Sequence, residues 1–485
     1  RAKNGTACRR LAAKFPNQTF APNTTNYISS TTEDIWSMTC DLDPGCVFSA
    51  NSAEDVSKAV RIIHDTQTVF SVVSGGHMPV PGAQSNDGGV LIALANLNTL
   101  ALNEDQSIAS LGPGNRWIDV YEWLEPYGLA VPGGRYAHVG VGGILVTGGI
   151  NFFGNRIGWS VNYIANMQVV LGNGAIVEVN HTSNPDLFWA LKGGSNNYGI
   201  VTRYDMRTLN VTDAFGGILV WEGEDSLGEL AEAFDEFLLS PEADKLDTHI
   251  NPSLTVTKAE DDTWLWRAVF VGLANGTYDG VPPTLANFTA IPDIAAGSLA
   301  QEDSWVEIIN GVQSLNTVDE NGLGQLFGCL ASPYVPGVTQ IMRENVLQPA
   351  VDALADVDGL FVAISPEPIS KNWLQAAQDS GEYVIDLDPE EPLIVQLITL
   401  TWTDAADNQK AFDFMNSTLE RVRHVLVEKG VFNPFIYMGD AAPGQYPYSA
   451  YGKGDGANIP RMKSVQATYD PLGVFRNLIT SGFKL

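Results

Sequence analysis

The run Val69-Phe70-Ser71-Val72-Val73-Ser74-Gly75-Gly76-His77 decides how this chain is read. Its first five residues are β-branched, aromatic or small and read as a strand. Two glycines then turn the chain and carry a histidine into Met78-Pro79-Val80-Pro81-Gly82. A glycine turn at a strand end lets backbone N–H groups come close to a ligand, and a side chain fixed on it is placed to touch that ligand. Taken alone, the motif is better read as a surface turn with an incidental histidine. The segments around it reverse that reading.

Upstream, Ser52-Ala53-Glu54-Asp55 opens a helix that Ser52 can cap, with Val56, Val60, Ile62 and Ile63 on its apolar face. Downstream, 88–94 and 108–114 read as strands, and 117–127 reads as a helix stopping at Gly128. Residues 132–160 are dense in glycine. Residues 168–179 form a hairpin on Asn173-Gly174. Residues 184–194 read as a short capped helix ending at glycine, and 198–202 as a strand. Residues 1–45, rich in Asn, Thr and Pro, read as an irregular arm. Beyond about residue 210 the glycines thin out. Helical patterns at 225–239, 342–355 and 405–429 then alternate with strands at 217–221, 263–271, 359–364 and 393–402. That pattern is an antiparallel sheet with helices on one face. An amphipathic helix follows in 456–485. The fold class is α+β. The expected division is an arm (1–45), a ligand-binding domain (46–208), a substrate domain (209–430) and a C-terminal segment (431–485) returning to the first domain.

Of the 485 residues, 45% are apolar and 17% charged, which fits a globular protein of more than one domain. The formal net charge is −29. Such a surface repels phosphate backbones and anionic lipid, so neither nucleic acid nor a membrane is an expected partner. No apolar run approaches the ~20 residues that span a bilayer. The chain begins at Arg1 rather than Met, from which a removed leader is expected. Sequons stand at Asn4, Asn17, Asn23, Asn180, Asn210, Asn275, Asn287 and Asn416 and point to a secreted, extracellular glycoprotein. Cys8, Cys40, Cys46 and Cys329 match no zinc spacing and allow three disulfide connectivities. Cys8–Cys46, tying the arm to the first domain, is preferred, which leaves Cys40–Cys329 as the second pairing. No metal is expected.

Repeated glycine turns after strands imply a long, phosphate-bearing ligand laid across backbone N–H groups. Gly140-Val141-Gly142-Gly143 lacks the strand–helix context of the dinucleotide fingerprint, which disfavours a Rossmann site. The ordered series is SGGH (74–77), GGVLIAL (88–94), GPGNRW (112–117), GLAVPGGRYAHVGVGG (128–143), TGGINFFGNRIG (147–158), VVLGNGAIVEV (169–179) and NPDLFWALKGGSNNYGIVT (184–202). This series resembles the berberine-bridge-enzyme-like FAD-linked oxidases of the vanillyl-alcohol-oxidase (PCMH-type) flavoprotein fold. The sequons and the PVPGA run look like its fungal secreted members. The likeness spans about 45–205, resumes at Tyr469-Asp470-Pro471, and is only general between 210 and 430.

The resemblance implies FAD bound covalently through His77. The family's usual arginine before SGGH is Val73 here, and the cysteine of its second flavin link is Tyr136, so a single attachment is expected. Gly75, Gly76, Gly140, Gly142 and Gly143 would cradle the pyrophosphate, with Ser74 adding a hydroxyl. Gly199, Ile200 and Val201 would flank the adenine. Val139 matches a position beside the oxygen-reactive carbon and favours an oxidase. Many carbohydrate-oxidising relatives carry Tyr-x-Asn-Tyr near the C-terminus. Here the run is Tyr437-Met438-Gly439-Asp440, so the base is open among Tyr437, Asp440, His138 and Asn151, with Tyr136 bordering the substrate. His64, His181, His249 and His424 read as surface or satisfied core residues, and Trp402 as core. The implied activity is hydride transfer from a small alcohol, carbohydrate, amine or phenol to FAD, with dioxygen reduced to hydrogen peroxide. The expected partners are that substrate and dioxygen, with N-glycans, on a monomer. The alternatives are a dehydrogenase or cyclase using another acceptor, and a flavin-binding protein without turnover.

Overall fold

The fold is a computed structural model describing residues 4–211, 213–315 and 322–485. Arg1 lies outside them, as do Thr212 of the Asn210 sequon and the side chain of Asn4. Among the described residues no helix is long and apolar enough to cross a membrane, and no cluster of three metal-ligating side chains occurs.

Three larger sheets organise the described residues, beside a two-stranded ribbon of Leu129–Ala130 and Leu209–Asn210. The first has the strand order Thr19–Phe20, Cys46–Ser49, Val90–Ala93, Phe70–Val73, its last three strands parallel. The helix Ala53–Thr66 makes the crossover from Cys46–Ser49 to Phe70–Val73, and Ser52 caps it by accepting the Asp55 N–H. The second sheet is antiparallel, ordered Leu100–Leu102, Ile108–Leu111, Ile200–Arg207, Ile164–Val170, Ile176–Val179. Its last pair is the Asn-Gly hairpin, with Gly174 at φ +76°.

The third sheet is a seven-stranded antiparallel layer. Its order is Ala296–Glu302, Ala214–Glu222, Trp264–Asn275, Thr248–Lys258, Phe361–Ile369, Leu393–Trp402, Gly324–Pro333. Side chains alternate between its faces. Leu326, Leu330, Ile364, Ile394 and Ile398 pack under the helices Glu224–Leu239, Val338–Ala353 and Asn408–Glu428. Cys329, Ala331, Ile369, Leu393 and Val395 join the core built around the second sheet. Because both faces are covered, Leu393–Trp402 is buried along most of its length rather than at alternate residues. Trp402 is fully buried in the helix-covered core, its Nε1 donating to Asn408.

The structure departs from the sequence reading in four places. Residues 1–45 are not an irregular arm. Asn4–Lys14 is a helix whose Ala7 and Leu11, with Phe15 just past its end, recur four apart and pack into the core of the first sheet. Cys8–Cys46 is formed, but Cys40 and Cys329 are free thiols. Each is buried in a different core cluster, so they cannot pair. Asn184 does not cap the helix Pro185–Leu191; it sits at φ 52° and its side chain donates to Glu178 O instead. Thr248–Lys258, Ala296–Glu302 and Gly324–Pro333 are strands that the patterning did not show. The first contains Pro252, the second is a small and polar edge, and the third is interrupted by glycines.

Candidate active site

The strand Phe70–Val73 ends at Ser74, and the turn that follows meets a second glycine turn at Gly140. The two backbones touch. A Cβ on Gly75 would collide with the Gly140 backbone, and one on Gly140 with Gly75. Gly76 stands at φ +70°, which favours glycine. Arg116 locks the pair, its Nη1 donating to Gly75 O and, at 2.7 Å, to His138 O. Ser74 ties the turns together, donating to Pro113 O at 2.5 Å and accepting the Gly142 N–H at 3.2 Å. Its proton is therefore taken within the protein, so Ser74 braces the cradle rather than offering an O–H to a ligand.

These turns form one end of a cavity. His77, Ser74, Gly75, Gly76, Val139, Gly140, Gly142, Gly143, Gly199, Ile200 and Val201 all line it. Gly143 faces open space, where a side chain would intrude. Tyr136, Tyr437 and Asp440 also line the cavity, joined by Arg135 and, from the seven-stranded sheet, Phe327 and Leu397. A cavity with a glycine cradle and largely apolar walls fits FAD. Two candidates are not brought into it. His138 is exposed, and only its carbonyl is engaged, by Arg116. Asn151 is fully buried with its amide committed to the backbone: Nδ2 donates to Gly149 O and Gly158 O, and Oδ1 accepts from Phe153 N. Neither is among the residues that line the cavity.

Tyr437 is buried with its ring stacked on Trp159, centroids 5.7 Å apart. Its oxygen accepts the N–H groups of Gly149 at 3.1 Å and Ile150 at 3.2 Å. Burial, and then the nearby Asp440 charge, push its pKa above the ordinary phenol value. Gly439 is required here, since a Cβ would strike the Tyr437 ring. Asp440 is buried, and its Oδ2 has no hydrogen-bond partner among the described residues. Burial, and then Glu367, push its carboxyl well above the usual range, against the opposing pull of Arg135.

Glu367 and Arg135 were not singled out by sequence. Glu367 is 1% exposed and accepts an ion-pair hydrogen bond from Arg135 Nη2. Burial pushes its carboxyl up while Arg135 pulls it down. Arg135 Nη1 and Glu367 Oε2 have no hydrogen-bond partner among the described residues. His249 belongs to the same group and is not a satisfied core residue. It is buried edge-on to Phe152 with Nε2 unpartnered, and burial and then Arg135 hold its pKa well below normal. The pairing of Thr248–Lys258 with Phe361–Ile369 runs only from Leu254 to Thr257. Pro252, with no N–H to give, lies just beyond its end. Only Arg135 carried a sequence signal, its place in the glycine-rich run beside Tyr136.

The sequence and the fold have counterparts. A family model described as an FAD binding domain matches residues 44–180. The FAD-dependent monooxygenase prx3 of Penicillium roqueforti is 32% identical, over 100% of this chain and 94% of its own. The 6-hydroxy-D-nicotine oxidase of Arthrobacter nicotinovorans superposes with TM-score 0.77 at 22% identity, covering 95% of this chain and 96% of that one. The glucooligosaccharide oxidase of Acremonium strictum, described with a 6-S-cysteinyl, 8α-N1-histidyl FAD, superposes with TM-score 0.76 at 18% identity, covering 99% of both chains.

Proposed function

The chain belongs to the berberine-bridge-enzyme-like FAD-linked oxidoreductases of the vanillyl-alcohol-oxidase flavoprotein family, and on that premise we propose that it is a secreted oxidase of a small organic substrate. His77 would hold FAD covalently, and the flavin, when bound, would supply a hydride acceptor for an alcohol, carbohydrate, amine or phenol and pass the electrons to dioxygen, giving hydrogen peroxide. The observation that carries this reading is one cavity onto which His77, the glycine turns, Tyr136 and Asp440 all open.

The protein's own residues do the rest. The backbone at 75–76 and 140–143 receives the pyrophosphate, and Gly199–Val201 the adenosine side. Tyr136 occupies the place of a cysteinyl link and leaves the attachment single. Asp440 Oδ2, buried at the cavity and unpartnered, takes the substrate O–H or N–H proton as the hydride departs. Burial raises its proton affinity, Glu367 raises it further, and Arg135 opposes both. We give Tyr437 a positioning role in this corner, because burial and then the Asp440 charge oppose its ionisation. We assign 46–208 and 431–485 to the flavin and 209–430 to the substrate. The Cys8–Cys46 disulfide and the exposed Asn17, Asn23, Asn287 and Asn416 support an oxidising secretory route and N-glycans.

The names of the fungal relatives favour a second reading, a monooxygenase that inserts one oxygen atom into its product. Two measurements test these readings. Acid precipitation should give a yellow pellet; a colourless pellet under a yellow supernatant defeats attachment at His77. A substrate screen under isotopically labelled dioxygen should put the label in peroxide and none in the product. Label in the product establishes the monooxygenase. Reduction of an artificial acceptor with no peroxide establishes a dehydrogenase.

A further inference from the structure

We infer that Trp36, in the N-terminal segment, is a positioning residue for flavin attachment: it holds the His77 imidazole in the plane from which its nitrogen meets the flavin. The inference rests on reading His77 as the covalent anchor. The Trp36 indole lies flat on the His77 ring, with centroids 4.0 Å apart and planes at 13°. Phe327, which lines the cavity from the edge strand Gly324–Pro333, closes on Trp36 at 5.1 Å. Trp36 is buried, yet its Nε1 has no hydrogen-bond partner among the described residues.

The segment carrying this ring is fastened on both sides. Trp36 N donates to Gly76 O at 3.0 Å, inside the histidine turn itself. Asp34 O lies where a Cβ on Gly76 would be, so the segment packs directly on the turn. One residue beyond Trp36, Ser37 Oγ donates to Gln325 O at 2.9 Å and accepts from Gln325 N at 3.0 Å. Met38 N donates to Leu323 O at 2.8 Å. Residues 34–38 thus strap the turn to the edge of the seven-stranded sheet, with Trp36 between them. These bonds fix the backbone that carries the ring, and burial and the Phe327 contact hold the ring itself against His77.

The chemistry gives this arrangement a purpose. Attachment forms one N–C bond between the imidazole and the flavin 8α carbon and breaks one N–H and one C–H bond. The two electrons and two protons are taken up by the flavin ring and leave on dioxygen as hydrogen peroxide. The attacking lone pair lies in the imidazole plane, so the ring must approach edge-on. The torsion that sets this plane is broad and is not fixed by the histidine's own rotamer preferences. A flat stack on the ring face fixes the plane and leaves the nitrogens at the edge. Orientation of this kind is where small displacements cost large factors in rate.

The test compares the full-length wild type with Trp36→Leu, Trp36→Phe and His77→Ala. Total bound flavin, the share that stays in an acid-precipitated pellet, its growth on incubation with FAD, and the melting temperature are all recorded. For Trp36→Leu we expect total flavin near wild type but attachment slowed about tenfold or more. Trp36→Phe, which keeps a smaller aromatic face, should fall between. A merely structural role would instead lower total flavin and melting temperature and leave the covalent share unchanged, and that result overturns the inference. So does Trp36→Leu attaching flavin as fast as wild type. If Trp36→Leu does not fold, Trp36→Phe decides: slower attachment at unchanged total flavin supports the inference, and an unchanged rate overturns it. A colourless wild-type pellet defeats the anchor role of His77 itself. A coloured one with unaffected Trp36 variants defeats only the role of Trp36.

Discussion

The oxygen of Tyr437 accepts two backbone N–H groups in a buried pocket, and ionising it beside Asp440 is disfavoured by burial and by that charge. In the mechanism we propose, proton transfer in this corner falls to Asp440, whose charged form burial and then Glu367 oppose while Arg135 favours it. A base must be ionised to act, so kcat/KM should fall as pH drops through the raised Asp440 pKa. The acid limb should then lie above the ordinary carboxylate value of about 4. Asp440→Asn should abolish that limb along with most activity; a limb that persists in the variant excludes Asp440 as its source. Stability carries the opposite sign. A carboxyl whose folded pKa is raised contributes stability that is full below its unfolded pKa and is lost as pH rises through the folded one. Asn does not ionise, so Asp440→Asn should melt above the wild type at alkaline pH, the gap closing toward about pH 4. Asp440 was legible in the sequence as a departure from a tyrosine motif, and His77 as the end of a glycine turn. Glu367 was not, because it meets Arg135 only through the sheet, 232 residues away in sequence. His249 failed for the same reason: nothing local distinguishes a buried histidine facing a guanidinium from one facing apolar neighbours.

Among the elements, the helix Asn4–Lys14 corrects the reading most. Ala7, Leu11 and Phe15 recur at a helical interval and face Val56, Val60 and Phe70 in one cluster, with Cys8–Cys46 fastening the helix to the strand Cys46–Ser49. Leu11 is fully buried there. Leu11→Ala should lower stability by about 2–5 kcal/mol, the cost of a vacated leucine site. A shift of the denaturation midpoint measures it, and an unchanged midpoint would show the helix to be dispensable to the core. The helical interval was present in the sequence, but the polar and proline-rich stretch that follows it outweighed three apolar positions. Strands with strong local signals were legible, such as Phe70–Val73, Leu393–Trp402 and the hairpin at Asn173-Gly174. Thr248–Lys258 was not. Its Pro252 argues locally against a strand, and only pairing along the whole of Trp264–Asn275 secures it.

At the scale of the molecule, the cavity lies where the glycine turns beside the first two sheets meet the seven-stranded sheet. Residues on both sides share one core, with Cys329, Ala331 and Val395 packed in the same cluster as Met167, Val169 and Tyr204. A ligand filling this cavity binds only the folded state, so its free energy adds to folding. Covalent and reversible binding then leave different signatures. In the wild type a flavin attached through His77 cannot leave, so the melting temperature should not respond to added FAD after exhaustive dialysis. In His77→Ala the glycine cradle is intact and the flavin exchanges, so stability should climb with free FAD. The expected gain is about 2.7 kcal/mol when FAD is at a hundred times its Kd, with no plateau until solubility intervenes. Calorimetric melts of both proteins over a series of FAD concentrations check this. A wild-type melting temperature that rises with FAD in parallel with the variant would mean that the flavin is reversibly held in both and that His77 contributes packing alone.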